Sequence, residues 1–210
     1  MKPPCVILAG GRSSRMGGGD KCLLPLDGRP LLAHVLERMS PQVSSIMINS
    51  NSMPDLFAAF GWPVSADIMP GYQGPLAGLL TGMIWAARAQ PDATHILSVS
   101  CDTPFLPHDL AQRLGEGIET GDIAIARDET SVHPVIGLWP ITLANRLACD
   151  MKHGGIRGVY QWLRQFRVHE IAFDAGYFCN LNTRDELQRA ESSFLNSSNA
   201  GNGPRLNVSP

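Results

Sequence analysis

The chain has 210 residues, of which 44% are apolar and 17% charged, with a formal net charge of −2. That is length enough for one full core and a composition too apolar for disorder. A near-neutral charge excludes the global basic field that nucleic-acid or anionic-membrane binding would use. No apolar run is long enough for a transmembrane helix.

In chain order, Met1-Lys2-Pro3-Pro4 leads directly into an apolar strand over Cys5–Ala9, so no signal peptide is expected. A glycine-rich, basic stretch follows through Lys21. Leu31–Met39 has helical apolar spacing, with Pro30 expected in its first turn. Ser45–Asn49 reads as a second strand, Pro54–Phe60 as a short helix stopped by Gly61, and Pro63–Ala66 as a third strand. Pro75–Ala89 is a long helix whose two glycines imply close packing. His95–Ser100 is a fourth strand running into Cys101-Asp102-Thr103-Pro104, and Pro107–Ile118 is helical. Strands are expected over Ile123–Arg127 and Pro134–Trp139, the latter antiparallel. Helices are expected over Leu143–Lys152 and Gly158–Phe166, a strand over Val168–Phe173, and a last helix over Asp185–Phe194.

This alternation predicts an α/β fold, a Rossmann-like, mostly parallel central sheet with helices on both faces. One domain is expected over 1–195, with a nucleotide-binding half over about 1–120 and an acceptor-binding half over about 121–195. The tail 196–210 has no periodicity and is expected to be disordered. The five cysteines are dispersed, without a C-x-x-C, and read as small buried hydrophobes in a reducing cytoplasm. Ligands in such sheets bind at the carboxyl ends of strands. Gly10, Asn49, Asp67 and Asp102 follow the first four candidate strands and are expected to converge there.

The glycine stretch fits neither the dinucleotide fingerprint nor the Walker motif, because its glycine spacing differs and Lys21 precedes Cys22. Its chemistry still suits a polyphosphate. Glycines let backbone N–H groups approach an anion, and Arg12, Arg15 and Lys21 add full charges. By itself the stretch is equally readable as a solvated surface loop.

Six further segments alter that balance: Gly28–Met39 with its Arg29-Pro30-Leu31-Leu32, Ile48–Asn51, Gly74–Leu79, Cys101–Pro107, His133–Trp139 and Asn180–Leu187. Together with Leu8-Ala9-Gly10-Gly11, Arg15-Met16-Gly17 and Lys21 they resemble, in order, the nucleotidyltransferases with a glycosyltransferase-A-like fold. Among these the likeness is to the molybdenum cofactor guanylyltransferase family, over about nine-tenths of the chain.

The resemblance implies an enzyme that transfers GMP from GTP to molybdenum-molybdopterin, with Mg²⁺ as cofactor and pyrophosphate released. It implies that the backbone of Leu8, Ala9, Gly10 and Gly11 lies against base and ribose. Lys21 and Arg15 are the implied catalytic phosphate contacts, with Lys21 expected to be exposed. Asn49 would read a purine edge or ribose, with a cap of the turn before the Pro54 helix as the competing account; Asp67 would contact the nucleotide, and Asp102 would hold the metal. Gly74–Gly78 would pack against a flat ring. Asn180 and Asn182 would face the acceptor, with a helix N-cap as the competing account of Asn182. Arg157 and Arg164 would meet an acceptor phosphate or remain solvated. His133 reads as structural. Arg184 stands where the family often has proline, which touches nothing catalytic.

The implied partners are GTP, molybdenum-molybdopterin, and molybdenum-insertion and molybdoenzyme chaperone proteins, in the cytoplasm, with no nucleic acid and no membrane. A cytidylyltransferase using CTP on the same pterin, a sugar-phosphate nucleotidyltransferase and a catalytically silent cofactor-delivery module remain as alternatives.

Overall fold

The computed structural model describes residues 1–10, 20–69, 71, 74–156, 158–183 and 185–190. Expectations placed on Gly11, Arg12, Arg15, Arg157, Arg184 and the tail lie outside the described residues.

The sheet is built from short apolar strands. β1 (Cys5–Leu8), β4 (Ile46–Asn49) and β6 (His95–Ser100) are buried along nearly their whole length, the pattern of parallel strands covered on both faces. With β5 (Val64–Ser65), β7 (Ile123–Arg127), β8 (Val132–Pro140) and β9 (Val168–Ala172) they form one seven-stranded sheet in the order β5-β4-β1-β6-β8-β7-β9. β1 pairs in parallel with both β4 and β6, while β8 runs antiparallel between β6 and β7. The carboxyl ends of β1, β4, β5, β6, β7 and β9 therefore share one edge of the sheet.

Two apolar layers cover it. On one face α1 (Leu31–Met39) and α3 (Leu110–Gly115) pack on Ile7, Ile48, Val99 and Leu138. On the other, α2 (Pro75–Ala89), α4 (Ala144–His153) and α5 (Val159–Leu163) pack on Val6, Met47, Ile96 and Ile125. Trp139 of β8 and Trp162 of α5 stack at 6.0 Å, and the Trp162 indole donates to Asp150 at 3.0 Å.

Several expectations are corrected. A hairpin of β2 (Pro25–Leu26) and β3 (Arg29–Pro30) was not foreseen. Its turn residues, Asp27 and Gly28, have φ of 50° and 71°, the left-handed pair that an Asp-Gly hairpin turn requires. Pro30 closes that hairpin and lies just before α1 rather than in its first turn. α3 is shorter than Pro107–Ile118, because residues 107–109 form turns and Gly117 is left-handed at φ 73°. α5 ends at Leu163, after which Gln165 and Phe166 bond back only three residues, at 3.2 and 3.0 Å. Pro54–Phe60 is a 3-10 helix, closed by left-handed Gly61. Residues 185–190 are helical. Cys5, Cys22 and Cys101 are buried thiols, but Cys149 is exposed and Cys179 half-buried.

Candidate active site

The end of β6 is the centre of the shared edge. The Ser100 hydroxyl donates to Asp102 Oδ1 at 2.5 Å, and the buried Thr103 hydroxyl donates back to the Ser100 carbonyl at 2.9 Å. These two bonds hold the turn and aim the carboxylate. Lys21, in the 3-10 helix Lys21–Leu23, forms an ion pair with Asp102 Oδ2. The same ammonium donates to Asn182 Oδ1 at 2.5 Å. Leu181 N–H donates to the Asp102 carbonyl at 3.0 Å, which ties the 178–182 segment to the β6 turn. Lys21, Asp102 and Asn182 are thus brought together from three distant parts of the chain. Lys21 is not the exposed lysine expected from sequence: only 8% of it is accessible. The aliphatic stem is buried beside Cys22, and two partners take the charge.

A second polar cluster lies at the ends of β1, β4 and β5. Ala9 N–H donates to the Asn49 carbonyl at 2.8 Å, and Cys101 N–H to the Leu8 carbonyl at 3.1 Å, so this turn is locked to both neighbouring strand ends. Gly10 is exposed, and a Cβ built on it meets nothing within 4 Å. The Asn49 amide donates to the Ser65 carbonyl at 3.1 Å and to Asp67 Oδ1 at 3.0 Å. Capping of the following helix is therefore not its role.

Asn51, not singled out from sequence, donates to Asp67 Oδ2 at 2.8 Å and accepts from Asp67 N–H at 2.9 Å. Both Asp67 oxygens are held by neutral donors, and each keeps a further lone pair. Gly78 of α2 makes room for this arrangement: a Cβ there would overlap Asn49 Oδ1 and lie 2.6 Å from Leu8 Cδ2. Gly74, with φ 69°, starts α2 in a conformation that glycine tolerates. Ser52 donates to Asp20 Oδ1 at 2.5 Å, a second link sequence reading missed between the loop before Lys21 and the β4 end.

Asn180 is exposed. Asn182 is not the helix cap. Thr183 N–H donates to Glu186 Oε2 at 2.8 Å while Glu186 N–H donates to the Thr183 hydroxyl at 3.2 Å, a capping box that frees the Asn182 side chain for Lys21. The signal was present as Thr183 and Glu186 three residues apart. Arg164 is exposed at the end of α5. The Cys101 thiol beside Asp102 is pushed well up by its hydrogen bond with Cys22, by burial and by the Asp102 charge. Its environment favours the neutral thiol over the nucleophilic thiolate.

The mostly parallel sheet thus carries a lysine–aspartate pair and an asparagine-braced carboxylate along one strand edge. Residues 5–169 match the family described as the MobA-like NTP transferase domain. The chain is 42% identical over 193 residues to the molybdenum cofactor guanylyltransferase of Bradyrhizobium sp. (strain ORS 278), covering 90% of this chain and 91% of that one. To the protein of the same name from Cereibacter sphaeroides it is 44% identical over 187 residues, covering 89% and 94%. The chain belongs to the molybdenum cofactor guanylyltransferase family.

Its fold is shared with the crystal structure of molybdopterin-guanine dinucleotide biosynthesis protein A from Archaeoglobus fulgidus. The TM-score is 0.71 at 24% identity, over 93% of this chain and 99% of that one. Among the described residues, no helix is long and apolar enough to cross a membrane.

Proposed function

We propose that the protein transfers GMP from GTP to the terminal phosphate of molybdenum-molybdopterin, giving the guanine dinucleotide and pyrophosphate. The observation that carries this reading is the adjacency, along one strand edge, of the Lys21–Asp102–Asn182 cluster and the Asn49–Asn51–Asp67 brace. The first is a phosphate-transfer site and the second a base-reading site.

Base choice follows from the donor set. Guanine presents N1–H and its exocyclic amine side by side, and the two braced Asp67 oxygens can accept both. Cytosine offers one donor beside two acceptors, so a carboxylate there faces repulsion and leaves groups unpaired. This disfavours the CTP alternative. A lysine ammonium has three donors. Among the described residues Asp102 and Asn182 take two of them, so a third could meet a phosphate oxygen and offset charge on the departing pyrophosphate. Arg15 remains a proposed second phosphate contact. The acceptor phosphate oxygen attacks the α-phosphorus in line, so positioning and charge neutralisation suffice, with no covalent enzyme intermediate.

Asp102 fits Mg²⁺. It is a hard carboxylate at a strand end, oriented by Ser100, able to give one ligand to an ion that keeps waters and phosphate oxygens around it. Such an ion, when bound, would neutralise triphosphate charge. Asn180 and Arg164 are placed on the acceptor side by this reading. It further implies a cytoplasmic enzyme whose product passes to molybdenum-insertion or molybdoenzyme chaperone proteins.

The test is pyrophosphate release with purified molybdenum-molybdopterin and each of the four nucleoside triphosphates in turn. GTP should be preferred by at least about tenfold, the factor set by roughly 1.4 kcal/mol of lost pairing. Equal or faster turnover with CTP would overturn the assignment.

A further inference from the structure

Beyond Asp102, at the same sheet edge, a polar pair closes the turn between β7 and β8. β8 leaves its register with β7 between Gly137 and His133, so that the chain rejoins at Ala126 with His133 re-aimed. His133 Nε2 meets Asp128 Oδ2 at 2.9 Å. The other Asp128 oxygen is held by Thr130 N–H at 2.8 Å, the Thr130 hydroxyl at 2.7 Å and Ser131 N–H at 2.9 Å. Burial pushes this carboxyl up, but the donors of Thr130, His133 and Ser131 together outweigh it and bring it to about 2. Asp128 is therefore an anion fixed through one oxygen by its own turn, with its other oxygen facing His133.

The imidazole lies on Phe178 with ring centroids 4.7 Å apart, and Phe178 meets Phe173 edge-on at 5.3 Å. Phe178 begins the short run that ends on the catalytic groups. Three residues later Leu181 donates to the Asp102 carbonyl, and the next residue, Asn182, accepts from Lys21. An aliphatic residue at 133 would pack against Phe178 but could not be held by Asp128.

We propose that Asp128 and His133 form a positioning pair, clamping Phe178 so that the 178–182 run keeps Leu181 on Asp102 and Asn182 on Lys21. The proposal rests on the reading of Lys21 and Asp102 given under Proposed function and adds two residues to it.

The test combines hydrogen exchange with kinetics on the full chain. In His133→Ala, protection of the Leu181 amide falls at least about tenfold, while the Ile48 and Val99 amides in the central strands keep theirs. kcat falls by about tenfold with the dissociation constant for GTP within about twofold of wild type. In an Asn182→Ala background the same substitution lowers kcat by clearly less than tenfold, because the part of its effect that passes through Asn182 is already lost. His133→Gln, which keeps a donor for Asp128, recovers at least half of the lost Leu181 protection.

Unchanged Leu181 protection, a uniform loss of protection across the sheet, or a full additional fall in the Asn182→Ala background would overturn the proposal. Should the wild-type protein transfer no GMP, the functional reading fails, and Leu181 exchange alone decides the positioning claim.

Discussion

Replacing Gly78 by alanine tests whether helix α2 and the Asn49–Asn51–Asp67 brace are one mechanical unit. The added Cβ would overlap Asn49 Oδ1 and stand 2.6 Å from Leu8 Cδ2 and 3.0 Å from Asn49 Cγ. If Asn49 rotates away, its bonds to Ser65 and Asp67 break. A neutral bond contributes about 1 kcal/mol and one to a carboxylate about 1.5–3 kcal/mol. Alanine in a helix returns about 1 kcal/mol relative to glycine. The net loss is about 2 kcal/mol, a fall in Tm of about 4–8 °C for a chain of this size.

GTP affinity should drop about tenfold or more, since Asp67 loses one of the two asparagines that aim it. Gly82→Ala is the control on the same helix. Its Cβ would meet Val6 Cβ and Cγ1 at 2.8 Å and Ile96 Cδ1 at 3.1 Å, all apolar and away from Asn49. It should lower Tm by a comparable amount through overpacking, about 1–3 kcal/mol, with GTP affinity unchanged. Thermal melts and calorimetric GTP titration of both variants measure this. Wild-type GTP affinity in Gly78→Ala, or an equal affinity loss in Gly82→Ala, would refute the coupling.

Asp102→Ala should cut pyrophosphate release about a hundredfold or more, because it removes the proposed Mg²⁺ ligand, and flatten the Mg²⁺ dependence. It should also lower Tm by leaving the 8%-accessible Lys21 short of a partner. Normal turnover would remove Asp102 from the site. Asn182→Ala should impair turnover and lower Tm less than Asp102→Ala, because Lys21 keeps its ion pair, whereas Thr183→Ala should cost about 0.5–2 kcal/mol of stability as a lost cap and spare the chemistry; a stability loss in Asn182→Ala as large as a lost cap, with normal turnover, would restore Asn182 as the cap. Asp128, held at about 2 against an ordinary 3.8, contributes stability that is complete above about pH 4 and lost as pH falls towards 2. Asp128→Asn should therefore be less stable by about 1–2 kcal/mol at pH 6 and converge with wild type near pH 2, read by denaturant unfolding at each pH. A constant difference across that range would exclude the ionised carboxylate as the cause.

What the amino-acid sequence determined here is what local periodicity can carry. Apolar runs such as Cys5–Leu8 and His95–Ser100 specify buried strands, and the spacing in Leu31–Met39 and Pro75–Ala89 specifies helices at the observed bounds. Polar residues at strand ends then placed Asn49, Asp67 and Asp102 on one edge in advance, because parallel strands expose the same end. Two missed elements had local signals. Asp27-Gly28 marks a hairpin turn, but strands of two residues show no alternation, and Thr183 with Glu186 marks a cap.

The burial of Lys21, its pairing with Asp102 and Asn182, and the bracing of Asp67 by Asn51 belong to the tertiary structure alone. Lys21 and Asn182 are 161 residues apart, and nothing in either neighbourhood encodes the other. Whether a lysine after a glycine loop faces solvent or a carboxylate depends on which strand lies beside β1. That is decided by the order in which seven strands bury their faces against the helices, a property of the whole core and of no single segment.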